Sequence, residues 1–219
     1  MVRVLFCQIR LRLTGRICVW YGNVVAQVIE RSPDLFQRIF YSGKDKKHEV
    51  RYEAGILPNG MAIHIGGPCE GRCHDTTVLK EFGLIDAMES VRFFRDEQGR
   101  IVVFIYGDQG YTFEGFMITP YRATFVLAAG HPNKRFNLIM SCIRQRNEWF
   151  FCVLKNQYKG VCDKSQNQWN KGRVGQRFLF VCLMTNIRNC IDPNQISQFF
   201  KCNPPTVEFY LRHLRNHLV

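Results

Sequence analysis

The sequence predicts a mixed α/β domain, a sheet flanked by helices. Three observations carry that expectation: three β-rich runs separated by turn signals in the first third, a continuous apolar run at 101–106, and long amphipathic stretches in the second half. With 219 residues, 46% hydrophobic and 13% aromatic, the chain is long and apolar enough to bury a core of its own. The longest strongly apolar stretch, 178–184, is far short of the roughly 20 residues a membrane-spanning helix needs.

Residues 17–29 (ICVWYGNVVAQVI) are β-branched and aromatic and read as a strand. Polar, turn-forming stretches follow at Ser32-Pro33-Asp34 and from Tyr41 to His48. A second strand is expected at 49–57, a hairpin turn at Pro58-Asn59-Gly60 and a third strand at 61–66, which together make an antiparallel meander. Asp75 reads as the N-cap of a helix carrying Val78, Leu79, Phe82 and Leu84 at helical spacing. The run 101–106 (IVVFIY) has the pattern of a strand buried on both faces. From Asn133 to about Lys155 a helix can bury Phe136, Ile139, Met140, Ile143, Phe150 and Leu154 on one side. A polar loop at 160–172, a largely apolar helix at 174–191 and a short amphipathic helix with Phe209, Leu211 and Leu214 complete the chain. The order βββ–α–β–α–α is that of a ribonuclease H-like mixed sheet, although any three hairpin-linked strands followed by αβα would give the same string.

Lys and Arg outnumber Asp and Glu by 30 to 18, for a net charge of +12. The excess is one-sided, because residues 134–219 hold 14 of the bases and only 4 of the acids. Such a surface draws phosphate backbones through counterion release, and a packed basic half is unlike the polybasic tail that seeks acidic membranes. The Arg-studded N-terminus is a weak hint of an organellar transit peptide, with no serine to support it before Ser32, and arginines interrupting every apolar run argue against a secretory signal. The ten cysteines mostly sit in apolar runs, such as Cys152 and Cys182, and read as reduced, buried small hydrophobes. Cys69, Cys73 and His74 are closely spaced, but no second pair follows to complete a zinc site.

Three acids are placed for chemistry. Asp108 follows the buried strand, with Gly107 and Gly110 around it, at the sheet edge where α/β folds gather ligand groups. The competing reading is a turn aspartate bonding local backbone. Glu148 is the only acid between Asn133 and Lys159, on a helix whose polar stripe is Asn137, Ser141, Arg144 and Glu148. Its competing reading is a surface pair with Arg144. Asp75 serves equally well as an N-cap or as a ligand at the mouth of its loop. Carboxylates converging from strands and a helix suit paired Mg²⁺ or Mn²⁺ ions acting on phosphodiesters. Lys134, Arg135, Arg144, Arg146 and Lys155 are the candidate nucleic-acid contacts.

The motifs resemble those of the DDE superfamily endonucleases of Harbinger (PIF-like) transposases. The carriers are Tyr41-Ser42-Gly43-Lys44, Leu57-Pro58-Asn59-Gly60, Gly67-Pro68 with Glu70-Gly71-Arg72 and His74-Asp75, Tyr106 to Tyr111, Pro120-Tyr121, and Asn137 to Glu148. The resemblance implies a ribonuclease H-like domain at 22–192, after an uncertain segment 1–21 and before a helical tail 193–219. It also implies a DNA substrate, Mg²⁺ or Mn²⁺ held by Asp75, Asp108 and Glu148, and a nuclear location. The family places a further Asp on its first strand. Counting back from Tyr41-Ser42-Gly43, that position falls at Asn23, and no Asp precedes Asp34. The short stretch upstream leaves no room for the helix-turn-helix region such transposases usually carry, so target recognition would fall to a partner protein. The expectation is a truncated, impaired metal-dependent endonuclease, with a non-catalytic nucleic-acid-binding or protein-interaction module as the alternative.

Overall fold

The computed structural model describes residues 2–5, 18–30, 36–89, 98, 103–108, 111, 117–122, 131–168, 173–192 and 194–217. Among them the chain forms β1 (Val2–Leu5), β2 (Cys18–Val28), α1 (Gln37–Phe40) and β3 (Tyr41–Ser42). The long strands β4 (Lys47–Ile56) and β5 (Ala62–Glu70) follow, then α2 (Asp75–Phe82), α3 (Leu84–Glu89), β6 (Val103–Tyr106) and β7 (Met117–Ile118). The rest is helical: α4 (Pro132–Gln157), two short 3₁₀ turns, α5 (Val174–Ile191), α6 (Gln195–Phe200) and α7 (Val207–His217).

The sheet runs β1-β5-β4-β2-β6-β7, with β3 paired to β4 beside this path. The expected meander is present: β2, β4 and β5 pair antiparallel around the Leu57–Gly60 turn. Beyond it β6 lies parallel to β2, and β7 parallel to β6. Within the segment whose role the sequence left uncertain, Val2–Leu5 pair with β5, and Cys18–Tyr21 pair with β6. The third strand runs four residues beyond its expected end, through Pro68. Proline is tolerated there because pairing with β1 stops at Gly67, so no ladder on that side needs the missing N–H. Of the expected strand at 101–106, residues 101 and 102 lie outside the described residues.

Successive side chains of β2 show the two faces of the sheet. Val25 belongs to the main core, with Tyr52, Ala54 and Ile65 of the sheet, Phe150, Phe151 and Leu154 of α4, and Phe178 and Cys182 of α5. The ring of Tyr52 stacks on Phe178 at 3.9 Å between centroids. Val24 instead packs against Cys69, Val78 and Phe82, so α2 covers the opposite face. Helices on both faces leave β2 as a central strand, which explains its near-continuous hydrophobic run.

Local chemistry shifts several expected details. Asp75 is the first residue of α2 and His74 holds the N-cap position, with no side-chain cap bond. Gly83 adopts φ 62°, the left-handed conformation that ends a helix cheaply only for glycine, so Leu84 starts α3 instead of continuing α2. On α4 Ile139 faces solvent, while Phe136, Met140 and Ile143 pack on Tyr106. On α7 the buried positions are Tyr210 and Leu214, and Phe209 and Leu211 are exposed. Cys152 is exposed as well, whereas Cys182 is fully buried as expected.

Strand β4 carries two acids inward. Glu53 is fully buried and sits 3.3 Å from His64, and Glu49 is 3.7 Å from Arg51. Burial raises the pKa of Glu49 above 4.5, and the negative charge of Asp45 raises it further. Above its ordinary pKa, Glu49 therefore binds more proton folded than unfolded, and its contribution to stability declines as pH rises through the raised value. Glu49→Gln, which cannot ionise, should gain in melting temperature relative to the parent as pH is raised from 4.5 towards neutrality. Parallel melting curves across that window would contradict the assignment. Phe178→Ala, which removes the ring under Tyr52, should cost about 3–5 kcal/mol in urea unfolding.

Candidate functional site

The chain leaves β6 through Gly107 and Asp108. A Cβ on Gly107 would meet the Tyr111 ring and the Met117 sulfur at 2.7 Å, so glycine lets the turn close against both. Asp108 emerges half-exposed, with Oδ1 3.2 Å from Nη1 of Arg144 on α4. Arg144 thus joins the acid at the sheet end, where the sequence offered a pairing with Glu148. Glu148 lies one turn further along α4 and is exposed. Asn137 of the same stripe donates to the Tyr121 carbonyl and accepts from its N–H, both at 2.9 Å. Two of the four stripe residues therefore fasten α4 to the edge of the sheet that holds β6 and β7.

The position counted as the missing acid lies on β2. Asn23 pairs across β2 and β4 with Ala54, while Tyr21 pairs with Tyr106 at the last position of the parallel ladder. Asn23 is thus two residues past the end of that ladder, as Asp108 is two residues past the end of β6. The side chains of Asn23 and Arg146 lie outside the described residues.

Asp75 is held elsewhere. Its Oδ1 is 3.1 Å from Arg51 Nη1, and Arg51 also donates to the Cys73 carbonyl. This grouping lies with α2, on the face away from α4. Between the two sides stands Tyr111, whose buried phenol is raised first by burial and then by the charges of Glu53, Asp75 and Asp108, with Arg51 opposing. Among the described residues no three His, Cys, Asp or Glu side chains converge closely enough to hold a metal ion. The structure therefore brings Asp108 to α4, one turn from Glu148, and ties Asp75 to Arg51.

The sequence reading missed Glu49, Arg51, Glu53 and His64. Their signal was present as charge at alternate positions 49, 51 and 53 of an otherwise apolar strand, the period that puts all three on one face. It also treated two motifs as separate that the fold brings together. Ser42-Gly43-Lys44 and Gly71 to Thr76 line one cleft of about 490 Å³, with Arg51 in its wall. Burial raises both neighbouring thiols, Cys69 to about 12, and Cys73 is raised further by the charge of Glu70. On α4 Lys134, Arg135 and Lys155 are exposed. Lys134 and Arg135 stand in the first turn, where cations oppose the helix dipole and stability gains nothing from them.

No helix among the described residues is long and apolar enough to cross a membrane. No curated protein and no solved structure matches the chain. A family model described as a DDE superfamily endonuclease matches residues 25–186, a span from β2 through most of α5 that includes Asp75, Asp108 and Glu148. A match over that much of the chain, together with a mixed sheet that delivers an acid at the end of β6 next to a helix bearing another, identifies the protein as a member of the DDE superfamily endonucleases.

Proposed function

We propose that this chain is a transposase-derived domain of the Harbinger (PIF-like) branch, with a ribonuclease H-like fold, acting on DNA phosphodiesters at a site centred on Asp108 and Glu148. The observation that carries the reading is the parallel pairing of β2 with β6, which sets the strand that holds Asn23 next to the strand that Asp108 follows. The strand order, with β2, β4 and β5 antiparallel and then β6 and β7 running parallel to β2, supports the ribonuclease H-like assignment, and β1 adds a further strand beside β5.

Asp108 and Glu148 would hold Mg²⁺ or Mn²⁺. They are hard oxygen donors of the kind these ions require, and the ion would supply Lewis-acid stabilisation of charge on the phosphate oxygens. Asn23 offers a carbonyl oxygen without charge, so the donor set is one carboxylate short of a strong site. Asp75, committed to Arg51 on the far face, steadies the start of α2 in this reading and stands outside the metal-binding pair. Lys134, Arg135 and Lys155 would guide the DNA backbone along α4, Arg146 with them, and a separate helix-turn-helix protein would supply target recognition in the nucleus.

One observation favours a second reading, a catalytically silent DNA-binding module. The Arg144 guanidinium sits on Asp108 and supplies the positive charge that a metal would otherwise bring. Plasmid nicking in Mn²⁺ decides between the two. The unmodified chain should nick slowly, Asp108→Ala should abolish that activity, and Asn23→Asp should raise it by at least about tenfold, equivalent to about 1.4 kcal/mol of barrier. A parent and an Asn23→Asp variant that are equally inert would favour the silent module. Rapid nicking by the parent would remove the case for impairment.

A further inference from the structure

We propose that the cleft between the β3–β4 loop and the start of α2 is a second contact for the DNA backbone, on the face of the sheet opposite α4. The proposal rests on the reading above that the chain acts on DNA, and it extends that reading to a surface with no part in the chemistry.

The cleft has the chemistry of a phosphate seat. Lys44 projects from one wall and Arg72 and His74 from the other, all exposed, with Arg51 forming part of the floor. The acids nearby are already engaged. Asp45 is turned back onto Ser42, accepting from its hydroxyl at 3.3 Å, and its own N–H donates to the same oxygen at 3.2 Å. Glu70 accepts from Arg72 at 2.7 Å, and Asp75 and Glu49 both face Arg51, so these two guanidinium groups are already shared with acids. Among the described residues Lys44 makes no ion pair. In addition α2 starts at this cleft without a capping side chain, and His74, Asp75 and Thr76 line it, so the positive end of the helix dipole lies at its edge. Gly43 has open space where a side chain would stand, which keeps that wall low.

Position argues for a polymer over a free anion. The cleft lies where β5 ends and β4 begins, which is the end of the sheet towards which β2 and β6 run. β6 runs the same way, but its pairing with β2 stops at Tyr21, so Asp108 leaves β6 well before β2 and β4 reach the cleft. Tyr111 is within electrostatic reach of both Asp75 in the cleft wall and Asp108. A strand held near Asp108 can therefore continue over the sheet end and place a neighbouring phosphate in the cleft, so the two faces grip one duplex.

The test is binding of a short labelled duplex to the full chain in EDTA, followed by anisotropy over a salt series, which reads contact without cleavage. Lys44→Gln combined with Arg72→Gln should weaken binding about tenfold and flatten the slope of log affinity against log salt by about 1–2. Lys44→Arg should bind like the parent. A double variant with parental affinity and slope overturns the proposal, as does a parent that fails to bind duplex at all. Acylation of Lys44, read by mass spectrometry, separates the possible sources of phosphate. Protection by duplex is expected, and protection by inorganic phosphate alone, with none by duplex, would make the cleft a small-anion site and sink the claim. A chain that never nicks plasmid but loses duplex binding in the double variant fails the nuclease reading and keeps this one.

Discussion

The structure depends on β2 joining two ladders, antiparallel to β4 along Tyr21–Val28 and parallel to β6 along Cys18–Tyr21, with helices packed on both sides of Val24 and Val25. Its antiparallel partner β4 fixes the meander, and its parallel partner β6 fixes where the chain leaves the sheet. A one-residue slip of β2 would exchange Val24 and Val25 between the α2 side and the α4–α5 side, and both cores would be lost together. Register is therefore set by packing at some distance from Asp108, and the site inherits its geometry from that packing.

Charge balance is the second constraint. A basic chain with few acids has placed guanidinium groups on the carboxylates that matter: Arg144 on Asp108 and Arg51 on Asp75. Half-exposed, the first pair contributes little to stability by itself, because solvent screens it and two long side chains must be ordered. What it does is set the direction of Asp108 and hold α4 to the sheet end with Asn137. Arg51 has a different task, since it is mostly buried and lies between Glu49 and Asp75. Removing it would leave acids in a low-dielectric setting without their counter-charge.

Much of the fold was legible because period and turn chemistry act locally. The meander was readable from β-branched runs and from Pro58-Asn59-Gly60, and α4 from its spacing to within two residues at either end. The break at Gly83 is a local signal too, and the apolar spacing across it concealed it. Partnership between distant residues was not legible. Nothing in a one-dimensional pattern says that Arg144 would prefer Asp108 to its own helix neighbour Glu148, or that Asp75 would turn to a strand residue 24 positions earlier. Nor does spacing reveal that two loops some thirty residues apart share one cleft. Those facts follow from which strands pair, and the β4–β5 ladder decides them. Asn23 is the intermediate case: motif counting proposed it, and it lies on β2 two residues past the end of the pairing with β6, the strand that Asp108 follows.

If Asn23 replaces an acid, the loss acts on metal affinity and leaves the electrostatics of DNA attraction in place. Neutralising one carboxylate removes a negative charge from the mouth of the site, which weakens the hold on a divalent ion and reduces repulsion of phosphate at the same time. The two activities of such a domain therefore respond in opposite directions to the same change. Basic surfaces on α4 and around Lys44 would continue to attract a duplex whether or not the chemistry survives. Persistence of those charges is then informative about binding and silent about cleavage. Cations at the start of α4 lie against the helix dipole, so helix stability does not account for where they lie.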